Sequence, residues 1–134
     1  MNEIQKRFVD RLDKCGEVNI SYHDRELLDI LKAYVAKSLI HNENYEVCII
    51  SRNDCYPTRC LVDDLVRILR TITPTEREWH NRVRCGRNNL RIFSPDSDFR
   101  GCRFDLLISM GPRTDILTEY RAHRPNCRFV LVYD

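Results

Sequence analysis

The sequence has no long apolar run, and this shortage excludes several classes of protein. Its longest apolar runs have only about four or five residues, whereas a helix that crosses a bilayer needs roughly 20. The first residues, MNEIQKRFVDRLDK, carry charges where a secretory signal peptide needs an apolar stretch. We therefore expect an intracellular protein of the cytoplasm or nucleus, without a membrane partner.

Repeats, low-complexity tracts and linkers rich in proline or glycine are also missing. With 134 residues, 43% of them hydrophobic, the chain is long enough for one domain with a proper core. It is too short for two domains of ordinary size. We expect one α/β domain over residues 1–134, in which residues 1–15 form an N-terminal helix that packs on the core.

The cysteines lack the even number that a disulfide framework requires. There are seven, in a chain with a regular pattern of helices and strands. Both features favour reduced thiols and agree with an intracellular setting. Cys48 and Cys102 lie within or beside apolar strands, so we expect them to be small core residues.

Lysine is absent after residue 50. The first 50 residues carry seven basic and nine acidic side chains, whereas the remainder carries fifteen arginines and eleven acidic residues, a net charge of +4. The planar fork of arginine suits phosphate and carboxylate groups better than the point charge of lysine does. The alternative is codon bias, because the arginines are scattered among acidic residues.

Alternating helix and strand patterns are what the sequence does contain. Apolar spacing predicts helices over 2–14, 24–40, 57–72 and 114–122, and strands over 18–22, 47–50, 90–93, 104–109 and 129–133. A further helix is predicted between Thr73 and Gly86, because Thr73 and Glu76 match a capping box and Pro74 suits a first helical position. The alternation predicts a single three-layer α/β sandwich with a mainly parallel sheet.

Two stretches carry a resemblance to a known family. YEVCIISRND, a buried strand, is followed by the helix LVDDLVRILR, and FRGCRFDLLIS places an Arg-Gly turn before another buried strand. From about Val18 to Val132, this order of elements resembles the P-loop ATPase core of helicases and viral DNA-packaging terminases. In that family a first strand feeds a glycine-rich phosphate loop, and a later strand ends in acidic residues that hold magnesium.

The parts that hydrolyse ATP in that family are missing here. ISYHDREL stands in place of the phosphate loop and has no GxxxxGK[ST], so it lacks the backbone nest and the lysine that hold phosphates. Ser109-Met110 replaces the acidic pair and cannot hold a divalent cation as carboxylates do. The resemblance implies a non-catalytic, nucleotidase-like module, a degenerate ATPase core that binds nucleic acid or a protein partner, such as a viral replication or packaging accessory factor.

A cluster of arginines beside the single tryptophan is the best candidate for a functional surface. Clustered cations suit phosphates, and a tryptophan can stack on a base or on a partner's side chain. The predicted binding residues are Trp79, Arg82, Arg84, Arg87, Arg91, Arg100 and Arg103. In the alternative interpretation, Trp79 anchors a short helix to the core and the arginines are solvated. A protein-interaction or assembly factor differs from a nucleic-acid binder only in its partner.

An enzyme acting on phosphate esters is a further hypothesis. Cys85 and Arg91 have the C-x5-R spacing in which a thiolate and an arginine hold a phosphoryl group. In phosphatases that loop leads from a strand into a helix, whose N-terminus binds the anion. Here the predicted order is reversed, and the loop lacks small residues, so we expect no catalytic residue.

A structural metal site is also conceivable on spacing alone. Cys55, Cys60, His80 and Cys85 have a C-x4-C…H-x4-C arrangement that zinc accepts. Zinc sites usually begin with closely spaced ligands in a tight turn, and a predicted helix over 61–72 separates the two halves. We therefore expect no cofactor.

Overall fold

Helices and strands alternate in the part of the chain that the structure, a computed structural model, describes: residues 2–52, 55–79, 81–96, 101–111 and 114–133. The helices are α1 (Glu3–Cys15), α2 (Arg25–His41), α3 (Tyr56–Arg70) and α4 (Thr114–His123). The strands are β1 (Glu17–Ser21), β2 (Glu46–Ile50), β3 (Glu76–Glu78), β4 (Arg82–Cys85), β5 (Asn88–Phe93), β6 (Leu106–Met110) and β7 (Arg128–Tyr133). Within these residues no helix is long and apolar enough to cross a membrane.

Local signals in the sequence set the ends of the first two helices. The side chain of Asn2 accepts a hydrogen bond from Gln5 N (2.8 Å), and the side chain of Gln5 accepts one from Asn2 N (3.1 Å). α1 ends at Gly16, whose φ of 74° is left-handed and favours glycine. Asp24 caps α2 by accepting from Leu27 N (3.1 Å). The predicted starts of both helices are confirmed.

The described strands form a single sheet with a parallel and an antiparallel part. Their order is β1-β7-β6-β2-β5-β4-β3. β1, β7, β6, β2 and β5 run parallel to one another, whereas β4 and β3 continue the sheet in antiparallel pairs. Parallel strands need crossover connections, which α2 provides from β1 to β2 and α4 from β6 to β7. The predicted α/β class with a mainly parallel sheet is confirmed.

Two apolar cores, one on each face of the sheet, give the three layers. On one face α1, α2 and α3 pack against the sheet, and Leu12, Leu31 and Leu69 are fully buried there. On the other face Tyr120 of α4 and Phe104 pack against β2, β6 and β7. A fully buried leucine contributes about 2 kcal/mol, so these contacts dominate the stability of the fold.

The core under α4 contains several cysteines and a tyrosine whose hydroxyl forms two hydrogen bonds. The hydroxyl of Tyr120 donates to Cys102 O (2.8 Å) and accepts from Phe104 N (3.1 Å), so α4 is tied to the segment before β6. Burial raises the pKa of Tyr120 to about 12 and that of the Cys127 thiol to about 12. Cys48 is fully buried and Cys102 is partly buried, as expected of core residues.

The predicted helix between Thr73 and Gly86 is wrong. This segment contains β3 and β4, which pair as an antiparallel hairpin. Val83 and Cys85 are buried and alternate with half-exposed arginines, a period of two that is typical of a strand with one covered face. The capping signals at Thr73 are local, whereas the hairpin is stabilised by its pairing with β5, which the local signals do not report.

Candidate binding surface

Only one face of the antiparallel part of the sheet is covered by helices of the described residues. Val83, Cys85 and Leu90 point towards the core under α2 and α3. Side chains of the opposite orientation lie on a face of β3 and β4 that no helix of the described residues covers. We call these side chains, together with their neighbours on β5 and β2, the open face: Glu46, Glu76, Glu78, Arg82, Arg84, Asn89 and Arg91.

Two arginines of the open face share one carboxylate. Glu78 lies 2.7 Å from Arg84 Nη2 through Oε1 and 3.7 Å from Arg82 Nη1 through Oε2. Arg82 also donates to Asn89 Oδ1 from Nη2 (3.1 Å) and Nε (3.3 Å). All three charged side chains are more than a third exposed, so each ion pair stabilises the fold by less than about 1 kcal/mol. A partner's charged groups can therefore replace these pairs at small cost.

Arg91 is held more firmly, between β5 and β2. Its guanidinium lies 5.4 Å from the ring centre of Phe93 and 5.2 Å from that of Phe104, within the range of cation–π attraction. Arg91 Nε is 3.8 Å from Glu46 Oε2, and both buried atoms lack a hydrogen bond within the described residues. The other oxygen of Glu46 accepts from Asn89 Nδ2 (3.1 Å). Arg91 therefore also stabilises the fold.

Trp79 is at the tip of the hairpin that joins β3 to β4. Its side chain is 87% exposed and its φ is 56°, a left-handed conformation that costs a non-glycine residue about 1 kcal/mol. The interpretation in which Trp79 anchors a helix to the core is therefore wrong. A large ring held in water at a turn makes no contribution to the core and is available to a partner.

The remaining predicted binding residues are more widely spread. Arg87 lies in the turn between β4 and β5, at the opposite end of β4 from Trp79. Arg103 is exposed shortly before β6, and Arg100 lies outside the described residues. Neither Arg87 nor Arg103 forms a hydrogen bond or an ion pair with another described residue. The structure thus brings Arg82, Arg84 and Arg91 together and places Trp79 and Arg87 at opposite ends of the hairpin strand.

Cys85 and Arg91 do not form a phosphate-binding pair. Cys85 is buried on the helix-covered face of β4, whereas Arg91 lies on the open face. Burial raises the pKa of the Cys85 thiol, which disfavours the nucleophilic thiolate. The geometry therefore argues against a phosphatase built on these two residues.

The four residues considered for zinc are distributed over different elements. Cys55 precedes α3 and Cys60 lies within it, while Cys85 is buried in β4. His80 lies outside the described residues. In residues 2–52, 55–79, 81–96, 101–111 and 114–133, no group of three or more His, Cys, Asp and Glu side chains is arranged to hold a metal ion.

A crevice at the carboxyl ends of the parallel strands was not predicted as a site. A cavity of about 470 Å³ is lined by Tyr22, Arg25, Cys60 and Met110, among others. A neighbouring cavity of about 560 Å³ shares Tyr22 and Met110 and reaches Tyr133. Open parallel sheets bind ligands outside the carboxyl ends of their strands, so the predicted strands alone contained the signal for this crevice.

Two polar side chains in and beside this crevice, those of Lys32 and Ser109, are already bonded within the chain. Lys32 Nζ lies 2.8 Å from Asp64 Oδ2 and 3.6 Å from Asp29 Oδ1. Burial opposes the charge of Lys32, but the hydrogen bond and the charge of Asp64 outweigh it and raise the pKa of the lysine. Ser109, a buried residue within β6, donates from Oγ to Gly111 O (2.9 Å). Lys32 and Ser109 are therefore engaged within the chain, whereas the side chain of Arg25, which also lines the crevice, forms no hydrogen bond or ion pair within the described residues.

Comparisons with known proteins add no family. No family model matches the chain, and a search of curated proteins finds no significant match. The account of function therefore depends on the geometry of the chain itself.

Proposed function

We propose that the chain is a non-catalytic binding module whose partner is a protein. The contact surface is the open face together with Trp79. The observation that carries this proposal is the 87% exposure of Trp79 at the tip of a hairpin, next to a sheet face that no described helix covers.

The composition of the open face favours a protein over a nucleic acid. It contains three arginines and three glutamates, so its formal charges balance. A phosphate backbone attracts only the cations, whereas a protein partner can match both signs of charge. Tryptophan and arginine are also the residues that most often dominate the binding energy of protein interfaces.

The non-catalytic part of the proposal is supported by what the crevice and the cysteines do. Lys32 is paired with two carboxylates, Ser109 bonds a neighbouring carbonyl, and Cys85 is buried in the core. None of the three is placed to act on a substrate. Descent from a P-loop ATPase of the terminase type, and with it a viral replication or packaging role, stays a prediction based on the motifs around β2 and β6.

Site-specific photo-crosslinking tests the proposal. A photo-crosslinking amino acid is placed at position 79 in the cells that naturally make the protein, with position 72 as the matched control. Ile72 is also an exposed large apolar residue, at 62%, but it lies in the connection between α3 and β3. We expect a protein adduct from position 79 and none from position 72. Equal adducts at both positions, or none at position 79, would contradict the proposal.

Nucleic acid is the second candidate partner, and one observation favours it. Arg87 and Arg103 are exposed and form no ion pair within the described residues, so two cations outside the open face remain free. The test is binding of labelled single- and double-stranded DNA and RNA over a salt series. Binding that weakens steeply with salt and is lost in an Arg82/Arg84/Arg87→Ala variant would favour this candidate over a protein. The protein proposal predicts no such binding.

A further inference from the structure

At one edge of the sheet, β1 has no further strand beside it in the part of the chain that the structure describes. Gly16 O accepts from Phe129 N (2.8 Å), and Tyr22 N donates to Tyr133 O (2.6 Å). In a parallel ladder the residues that bond the neighbour alternate along the strand, so Val18 and Ile20 also bond β7. The N–H and C=O groups of the alternate residues therefore point away from the sheet; these are Glu17, Asn19 and Ser21.

Natural proteins usually protect such an edge, and β1 carries only one of the usual protections, the charge of Glu17, which is paired with Arg121. Edge strands are commonly very short, carry lysine or proline, contain a bulge, or lie under another element. β1 has five residues, no lysine and no proline, and pairs with β7 residue by residue. α1 and α2 pack only on the face that carries Val18 and Ile20, and Asn19 is exposed.

The opposite edge of the same sheet is protected. β3 has only three residues, and two of them, Glu76 and Glu78, are acidic. A second β3 placed beside it would bring like charges together, which is destabilising. The contrast indicates that pairing is prevented at β3 and allowed at β1.

We propose that a second copy of this chain pairs with β1 in antiparallel orientation, about a two-fold axis that passes between the Asn19 residues of the two copies. The two sheets then form one continuous sheet. This pairing is independent of the open face, which lies at the other end of the sheet. The failure of either proposal leaves the other intact.

The register about Asn19 is complementary to itself. Glu17 of each copy faces Ser21 of the other, and Val18 faces Ile20, so no like charges are opposed. The two Asn19 side chains meet and can exchange amide hydrogen bonds. Glu17 keeps its ion pair with Arg121 (2.8 Å), which partly neutralises its charge. Because the axis is two-fold, the Glu17–Ser21 and Val18–Ile20 matches are each made twice.

The backbone in this register is hydrogen-bonded along the whole strand. Asn19 faces Asn19, and Glu17 faces Ser21, as the hydrogen-bonded pairs of an antiparallel ladder. Ser21 O already accepts from Asp24 N (3.0 Å), but a carbonyl oxygen has two lone pairs and can accept again. A strand of another protein could bond the same backbone groups. The side-chain matches about Asn19, however, favour a second copy of this chain.

Amide hydrogen exchange at several protein concentrations tests the pairing directly. We expect light scattering to detect dimers at high concentration. In the monomer the amides of Glu17, Asn19 and Ser21 exchange quickly, whereas those of Val18 and Ile20 are protected by β7. In the dimer all five are protected. A monomer at every concentration, or rapid exchange of the three outward amides in a dimer, would overturn the proposal.

A proline variant provides an independent test that leaves the sheet intact. Because Asn19 N–H does not bond β7, Asn19→Pro removes only an outward donor and places a ring on the free edge. We expect Asn19→Pro to abolish the dimer and Asn19→Ala, the matched control, to retain at least part of it. A dimer that persists in a folded Asn19→Pro protein would overturn the proposal. If that variant does not fold, the exchange pattern of the natural sequence decides.

Discussion

The centre of the sheet and its β3 end differ in how many of their faces are covered. In the parallel half, formed by β1, β7, β6 and β2, the strand β6 has Leu106, Leu107 and Ile108 fully buried in succession, because helices lie over both faces. In the antiparallel half, formed by β4 and β3 with their neighbour β5, buried and half-exposed residues alternate along β4 and the first four residues of β5. One sheet thus combines a half that provides stability with a half that presents charged side chains and a tryptophan.

The largest expected contrast between the halves is in how much the truncation of a side chain to alanine lowers the free energy of unfolding. Leu107→Ala in the parallel half removes a fully buried side chain beneath α4 and is expected to lower the free energy of unfolding by about 3 kcal/mol. Arg84→Ala, on the same face of the sheet in the antiparallel half, is expected to cost less than about 1 kcal/mol. Urea denaturation measures both. Similar costs would show that the open face is covered.

A smaller contrast lies within one strand. Asn88 Nδ2 donates to Leu39 O (2.8 Å) and Asn42 O (2.7 Å), and its Oδ1 accepts from Tyr45 N (2.7 Å). These bonds tie the antiparallel half to the end of α2. Asn88→Ala leaves buried groups without partners, so we expect a loss of about 2 kcal/mol in the free energy of unfolding.

The adjacent residue of the same type is the control for that experiment. The side chain of Asn89 lies on the open face, where it bonds Arg82 and Glu46. We expect Asn89→Ala to cost less than about 1 kcal/mol. If Asn89→Ala lowers the free energy of unfolding as much as Asn88→Ala does, the account is contradicted, because it places one side chain on a covered face of β5 and the other on the open face.

The ion pair between the helices of the covered face gives a third, smaller effect with a defined pH dependence. Asp64→Asn is expected to cost about 1 kcal/mol near neutral pH, because Asp64 binds Lys32 between α3 and α2. The hydrogen bond from Lys32 lowers the pKa of Asp64, so its contribution is present above the ordinary value of about 3.9 and disappears as the pH falls further.

The lysine sets the alkaline limit of the same effect. Since the pKa of Lys32 is raised, its contribution is present below the ordinary value of about 10.4 and is lost as the pH rises through the higher folded value. Denaturation from acid to alkaline pH should therefore show a constant difference between wild type and Asp64→Asn in the middle range only. A difference that persists at both extremes would exclude the ion pair as its cause.

The smallest expected effect on stability concerns the hairpin tip. Asn tolerates the left-handed conformation that Trp79 adopts, so Trp79→Asn is expected to change the free energy of unfolding by less than about 0.5 kcal/mol. The same variant is expected to lose the protein partner. Thermal denaturation beside a binding assay separates the two effects, and a marked loss of stability would mean that the ring packs on the fold.

Patterns confined to one segment were predictable from the sequence. Asn2, Asp24 and Gly16 carry their capping roles locally, and the apolar strands around Val47 and Leu107 indicated burial on both faces. The hairpin of β3 and β4 was not predicted, because the capping motif around Thr73 is typical of the start of a helix. Its strands are stabilised by pairing with β5, which only the folded chain brings alongside.

The candidate surface was predictable in its residue types but not in its arrangement. Trp79, Arg82 and Arg84 were identified from their clustering along the chain, whereas the structure places the tryptophan in the hairpin turn and the two arginines on one face of β4. The contact between Arg91 and Glu46 joins residues far apart in sequence. Neither residue carries a local signal for it, because register between strands is decided by tertiary packing.

The fluorescence of the free protein tests the central claim most directly, because Trp79 is the single tryptophan in the chain. The account predicts an emission spectrum like that of tryptophan in water, nearly full quenching by acrylamide, and little change when the protein is unfolded in urea. An emission shifted to shorter wavelength and protected from acrylamide in the folded protein alone would place the ring in an apolar environment, and would contradict an exposed hairpin tip beside an open face.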